Sequence, residues 1–193
     1  ITMTSLLIKW FLPGFGNPED PHVRSRAGRL SSITGIVCNV LLFALKLICG
    51  ILTGSLSITA DAMNNLSDAS GSVVTFLGFR LAERPADEDH PYGHARYEYL
   101  TGLAVAVLIL FIGFELAKSS VAKILSPEPV EISPLVIGIL LVSIGIKLWM
   151  CLFNRRLGNL IQSTALLAAA ADSRNDCIAT AAVLAAGLIE KFV

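Results

Sequence analysis

An all-α bundle of membrane-spanning helices is the fold class this sequence predicts, and three observations predict it. Of 193 residues, 54% are hydrophobic and only 16% charged, where a soluble domain carries about 25% charge. The apolar residues gather in five stretches, each near or above the roughly 20 residues that a helix needs to cross a hydrocarbon core. Short polar breaks rich in proline, glycine or asparagine separate them. A mean hydropathy of +0.69 leaves more apolar surface than one aqueous core can hide. Lipid offers the backbone no hydrogen-bond partners, so spanning segments must close their own bonds as helices.

The chain opens with residues 1–29, read as a cytoplasmic N-terminal segment. Its start, ITMTSLLIKWFLPGFG, is broken by Pro13, Gly14 and Gly16 and is about half the length of a span. No secretory signal peptide is evident, and Lys9, Trp10 and Phe11 fit a short piece lying on the membrane surface. Because residue 1 is Ile rather than Met, a few residues are expected in front of it. The transmembrane domain occupies 30–193, with spans near 30–52, 55–82, 99–125, 134–153 and 162–188. Thr53, Gly54 and Ser55 leave room only for a tight helical hairpin between the first two. Pro85, Pro91 and Gly93 mark a polar loop after the second span. Pro127, Pro129 and Pro134 precede the fourth, and Asn154 to Asn159 form the break before the fifth.

Loop cations set orientation, because Lys and Arg concentrate on the cytoplasmic side. Arg24, Arg26 and Arg29 come before the first span. Arg80, Arg84 and Arg96 lie between the second and third, and Arg155 and Arg156 between the fourth and fifth. The other side offers an uncharged first loop, then Lys118 and Lys123 with Glu128 and Glu131. The N-terminus is therefore expected in the cytoplasm. No organelle-targeting segment is evident, and a bacterial plasma membrane is the expected location.

Charge and motif content exclude several classes. Net charge is zero and no basic block points to nucleic acid. The four cysteines, Cys38, Cys49, Cys151 and Cys177, sit in apolar runs without CxxC spacing, which argues against disulfides and zinc fingers and for buried apolar side chains. No HExxH or comparable nucleophile motif occurs, so neither an enzyme nor a prosthetic group is expected.

The chemistry lies in polar residues at membrane depth. In the second span, SLSITADAMNNLSDASGS carries Asp61, Asn64, Asn65 and Asp68. Asn64 and Asp68 are four apart and share a face, about 40° around the helix from one another. Asp61 lies near that face one turn away, while Asn65 points elsewhere and fits packing. The fifth span repeats the device in LLAAAADSRNDCIATAAV, where Asp172 and Asp176 are again four apart. An acidic residue at the bilayer centre costs about 2.5–3.5 kcal/mol, so Asp68, Asp172 and Asp176 together oppose insertion by roughly 8–10 kcal/mol. Each Leu, Ile, Val or Phe recovers only about 0.3–0.6 kcal/mol. A water-filled cavity or a bound ion can sustain such a cost. Interhelical glue is the plainer alternative, with the carboxylates protonated or paired with Lys46 or Arg174. Two pairs at matching spacing favour an ion site over glue.

Three carboxylates and one amide carbonyl make an all-oxygen cage of four ligands. Hard oxygens suit manganese, magnesium or calcium better than zinc, which prefers imidazole or thiolate in the set. The same carboxylates can take protons when the metal leaves, because like charges gathered out of water resist full ionisation. Metal and protons then compete for one site.

ITADAMNNLSD, ERPADEDHPYGHARYEYL and AAADSRNDCIATAAVL, in that order, resemble the cation diffusion facilitator family from about Arg24 to the end. The resemblance implies six transmembrane helices, a homodimer when full length, a cytoplasmic C-terminal metal-binding domain and metal/proton antiport out of the cytoplasm. By position, Asn64, Asp68, Asp172 and Asp176 match the family's transport site. Zinc-type members carry His where Asp172 stands, and His or Asp where Asn64 stands, so the set here resembles the manganese-type branch. Manganese is the favoured cargo, with zinc or iron export as alternatives. Asp87, His90 and His94 match a secondary site in the cytoplasmic loop of some zinc-type relatives. Their spacing can chelate a metal or simply shape the turn into the third span. His22 is expected to be solvated. The chain stops at EKFV, where the family's sixth helix would follow, so a fragment without that helix and the C-terminal domain is expected. A non-transporting membrane scaffold remains the rival from another class, and it predicts that Asp172→Ala changes nothing.

Overall fold

Proline, glycine and one serine cap set where the helices begin and end. The computed structural model describes residues 21–54, 56–88, 90–125 and 133–192. It contains five helices, α1 (Pro21–Thr53), α2 (Leu56–Ala82), α3 (Tyr97–Leu125), α4 (Pro134–Leu160) and α5 (Thr164–Phe192). Gly54 takes φ +65°, a left-handed conformation open to glycine at no steric cost, and so turns α1 directly into α2 as the spacing predicts. Ser133 caps α4 by accepting a hydrogen bond from the Val136 N–H, with Pro134 at the first helical position, where its missing N–H costs nothing.

Two boundaries differ most from the sequence reading. The helix of the first span begins at Pro21 rather than near 30, because Ser25, Ala27 and Gly28 are buried against the bundle. The fourth helix runs to Leu160, through the stretch expected to be a loop. Asn154, Leu157 and Gly158 are buried there, and the Ser31 hydroxyl donates to Asn154 Oδ1 at 2.6 Å. The turn into α5 shrinks to residues 161–163, with Gln162 at φ 51°. The surface segment expected around Lys9, Trp10 and Phe11, and the loop with Pro127, Glu128, Pro129 and Glu131, lie outside the described residues.

The helices pack in cyclic order: α1 along α2, α2 against α3, α3 against α5, α5 along α4, and α4 back on α1. Close approach of α1 and α2 requires Gly28, since a β-carbon there would collide with the Phe79 ring. Two apolar clusters close the bundle at its ends. One joins Ala27, Phe79, Phe153, Leu157, Ile161 and Leu166; the other joins Cys49, Ile58, Val136 and Leu140. Asp68 lies between Ile58 of one cluster and Phe79 of the other, about 15 Å along the axis from each.

At the end where α1 starts, the Arg24 guanidinium fastens three segments. Arg24 grips Glu98 with Nε–Oε2 at 2.6 Å and Nη2–Oε1 at 2.8 Å, and donates Nη1 to the Ile161 carbonyl at 2.5 Å. Bidentate guanidinium–carboxylate pairing of this kind is strong and directional.

The outer surface is apolar. Leu110 and Phe114 of α3 are 74% and 68% exposed, and Leu41, Ile48, Leu141 and Leu152 also face outward. Isolated patches of that kind are normal in water, but continuous ones mark a lipid or protein boundary. By length and composition three helices qualify as membrane spans among the described residues: α1, α3 over Tyr97–Glu115, and α4. The sequence reading expected five. α2 and α5 fall short because Asp61, Asn64, Asn65 and Asp68, and Asp172, Arg174, Asn175 and Asp176, interrupt their apolar runs.

Candidate metal site

The polar residues of α2 and α5 meet inside the bundle. Oxygens of Asp68, Asp172 and Asp176 lie within 4.8 Å of one another. Two oxygens on opposite sides of a metal stand about 4–5 Å apart for bond lengths of 2.0–2.6 Å, so this spread suits hard-cation coordination. The i, i+4 spacing puts Asp172 and Asp176 one above the other on α5. Asn64 and Asp68 repeat that placement on the facing helix. Asn64 is half-buried, with its amide Nδ2 3.5 Å from Asp176 Oδ1. A half-turn of that amide would present its carbonyl to a cation instead. All four sequence-predicted residues are thus brought to one place.

A fifth residue joins them. Lys147 of α4 inserts its ammonium between two of the acids, with Nζ 2.5 Å from both Asp68 Oδ2 and Asp176 Oδ2. Its side chain and that of Asp68 are each 3% exposed. No sequence motif above includes Lys147. Its signal is a lone cation at the midpoint of an apolar helix, thirteen residues from either end of α4. That is about 20 Å from each end, beyond the reach of a snorkelling side chain.

The remaining polar residues separate into packing and pairing. Lys46 is buried and pairs with Asp61, Nζ–Oδ2 2.8 Å, so Asp61 is engaged one turn from the cage. Asn65 is buried and donates to the Asp61 carbonyl at 2.9 Å, in keeping with packing. Arg174 is exposed. The cysteines are all free.

In the loop between α2 and α3, Asp87, His90 and His94 form a second cluster with ligand atoms within 4.8 Å. Asp87 Oδ1 accepts from the His90 N–H at 2.7 Å and faces His90 Nδ1 at 3.1 Å, and Asp87 Oδ2 lies 3.5 Å from His94 Nε2. His94 is buried, with Nδ1 3.1 Å from the Pro85 carbonyl. Desolvation is the largest single influence on the Asp87 carboxyl and pushes it up, but the His90 N–H, the His90 ring and His94 together outweigh it and hold Asp87 below its ordinary value. The loop is therefore ordered by its own hydrogen bonds, with the histidines available to a metal. His22, expected to be solvated, is exposed and stands 4.0 Å from Glu83.

Comparison with known proteins places the chain. Residues 32–193 match the model of the cation efflux transmembrane domain. The chain belongs to that family. Its members are transporters rather than enzymes, and this domain is a multi-pass integral membrane protein. An uncharacterized transporter of Methanocaldococcus jannaschii is 33% identical over 160 residues, covering 83% of this chain and 56% of the relative. The manganese efflux system protein MneS of Bacillus subtilis is 35% identical over 153 residues, 78% of this chain and 52% of the relative. The cation-efflux pump FieF of Shewanella oneidensis is 30% identical over 164 residues, 85% and 55%. This cation efflux domain thus spans about half the length of the curated relatives it matches.

Proposed function

We propose that this domain carries a divalent cation out of the cytoplasm, with manganese the preferred cargo and protons the counter-ion. Asn64, Asp68, Asp172 and Asp176 form the transport site, and α2 and α5 cross the membrane with the other three helices. One observation carries the reading: three carboxylates from two facing helices converge midway between two apolar clusters. Ionised groups at that depth are retained for ion pathways and proton relays. The absence of imidazole and thiolate from the set favours manganese over zinc, and the likeness to a manganese efflux protein supports the same choice. Asp87, His90 and His94 form a secondary cytoplasmic metal site.

During transport, the metal enters the cage with its carboxylates ionised and leaves as protons replace it, so an imposed proton gradient drives export. The test is metal content in cells expressing the complete reading frame, wild type beside Asp172→His, under manganese and then zinc load. Wild type lowers cellular manganese, and the His variant shifts export toward zinc. Unchanged levels of both metals, with the protein correctly inserted, would remove the assignment.

A further inference from the structure

We propose that Lys147 is a tethered competitor for the transported cation: its ammonium and the metal occupy the Asp68–Asp176 pair in turn. The inference rests on the transport-site reading above and adds a residue to it from a helix that reading does not use.

The geometry is specific. Lys147 Nζ bridges one oxygen of α2 and one of α5, and these two helices supply the acidic members of the cluster. Both contacts are charge-assisted and short, which makes them strong for hydrogen bonds. Three carboxylates and one ammonium share a space whose ligand oxygens lie within 4.8 Å. A divalent cation bound by Asp68 and Asp176 would face the ammonium across their shared carboxylates. In a poorly screened interior, like charges at that range repel strongly. The metal therefore displaces the lysine.

The helix also offers the displaced group a place to go. Ser143 lies one turn from Lys147 on the same face of α4, is 1% exposed, and its hydroxyl has no partner among the described residues. Side chains on a helix lean toward its N-terminus, which is the direction from Lys147 to Ser143. Withdrawal toward Ser143 frees both oxygens, and return of the ammonium restores the cross-link between α2 and α5. Competition of this kind weakens metal binding, and weak binding helps a carrier release its cargo.

The test is Mn(II) binding, at fixed pH, to the protein from its complete reading frame in lipid nanodiscs, with free Mn(II) read by electron paramagnetic resonance. Lys147→Met, which is one atom shorter and removes the charge, should bind Mn(II) about tenfold tighter or more, an apparent gain of about 1.4 kcal/mol. Lys147→Arg, which keeps the charge, should show no such tightening. Equal or weaker binding in Lys147→Met overturns the proposal. Asp172→Ala separates it from the reading beneath. If that variant binds like wild type, the transport site itself falls and the competition falls with it. If Asp172→Ala abolishes binding while Lys147→Met gains nothing, only the competition falls. Should Lys147→Met fail to assemble, Lys147→Gln, an uncharged amide of nearly the same length, decides by the same titration: tighter Mn(II) binding than wild type supports the proposal, and equal or weaker binding overturns it.

Discussion

A carboxylate held away from water keeps its charge only when something of opposite sign answers it, and that rule sorts the acids of this protein. Asp61 answers Lys46 and Asp68 answers Lys147, while Asp172 joins the cluster without an ion pair among the described residues. Asp68→Asn keeps the shape and removes one charge and one ligand. We expect it to weaken Mn(II) binding by more than the roughly 10–100-fold that outer-shell changes cost, and equal affinity in a direct titration would exclude Asp68 as a ligand. Asp87 follows the same logic in the loop, where neighbouring donors depress its pKa. A depressed carboxyl adds order that is present above its unfolded value and lost as pH falls through the folded one. The His90 amide resonance should therefore shift on acidification below the ordinary carboxylate range, and Asp87→Asn should flatten that titration. The paired spacings of Asn64 with Asp68 and Asp172 with Asp176 were legible because the helical repeat alone puts them on shared faces. Lys147 was not legible as their partner. A single charge has no spacing to read, and only the tertiary fold, which brings Lys147 of α4 to Asp68 of α2 and Asp176 of α5, reveals what it meets.

Helix existence follows from apolar length, and helix ends follow from packing. The first helix starts at Pro21 and the fourth persists to Leu160 because buried residues continue past the points where hydropathy fades. Composition made Asn154 look like a loop, whereas its bond from Ser31 makes it an interhelical contact. Composition also explains why α2 and α5 do not qualify as spans where α1, α3 and α4 do: polar residues interrupt their apolar runs, and among these Asn64, Asp68, Asp172 and Asp176 meet inside the bundle. Close packing has its own exposed weakness at Gly28, whose missing side chain admits Phe79. Gly28→Val inserts β-branched bulk into that contact. Overpacking of this kind costs about 1–3 kcal/mol, and it should lower the melting temperature in detergent with little change in Mn(II) affinity, since the cage lies far along the axis. A variant that melts like wild type would mean that α1 and α2 can separate there without loss.

Across the molecule, two apolar clusters hold the ends of the bundle while the middle is held by charge. The ends are stabilised by burial, which does not depend on the ion present. The middle is different, because three acids drawn from two helices repel one another and only a cation reconciles them. Lys147 supplies one positive charge and a divalent metal supplies two, so the metal-bound state should be the more stable. A ligand that binds only the folded state stabilises it by RT ln(1 + [L]/Kd), about 2.7 kcal/mol at a hundredfold excess over Kd. For the protein from its complete reading frame in nanodiscs, the melting temperature should rise with the logarithm of Mn(II) concentration once the site begins to fill. Asp172→Ala should show no such rise, even though its own melting temperature without metal is as high as that of wild type or higher, since one source of repulsion has gone. Opposite changes from one substitution, more stability without metal and less with it, are what a site built from mutually repelling ligands requires. A variant that loses stability in both conditions would instead assign Asp172 to packing between the helices.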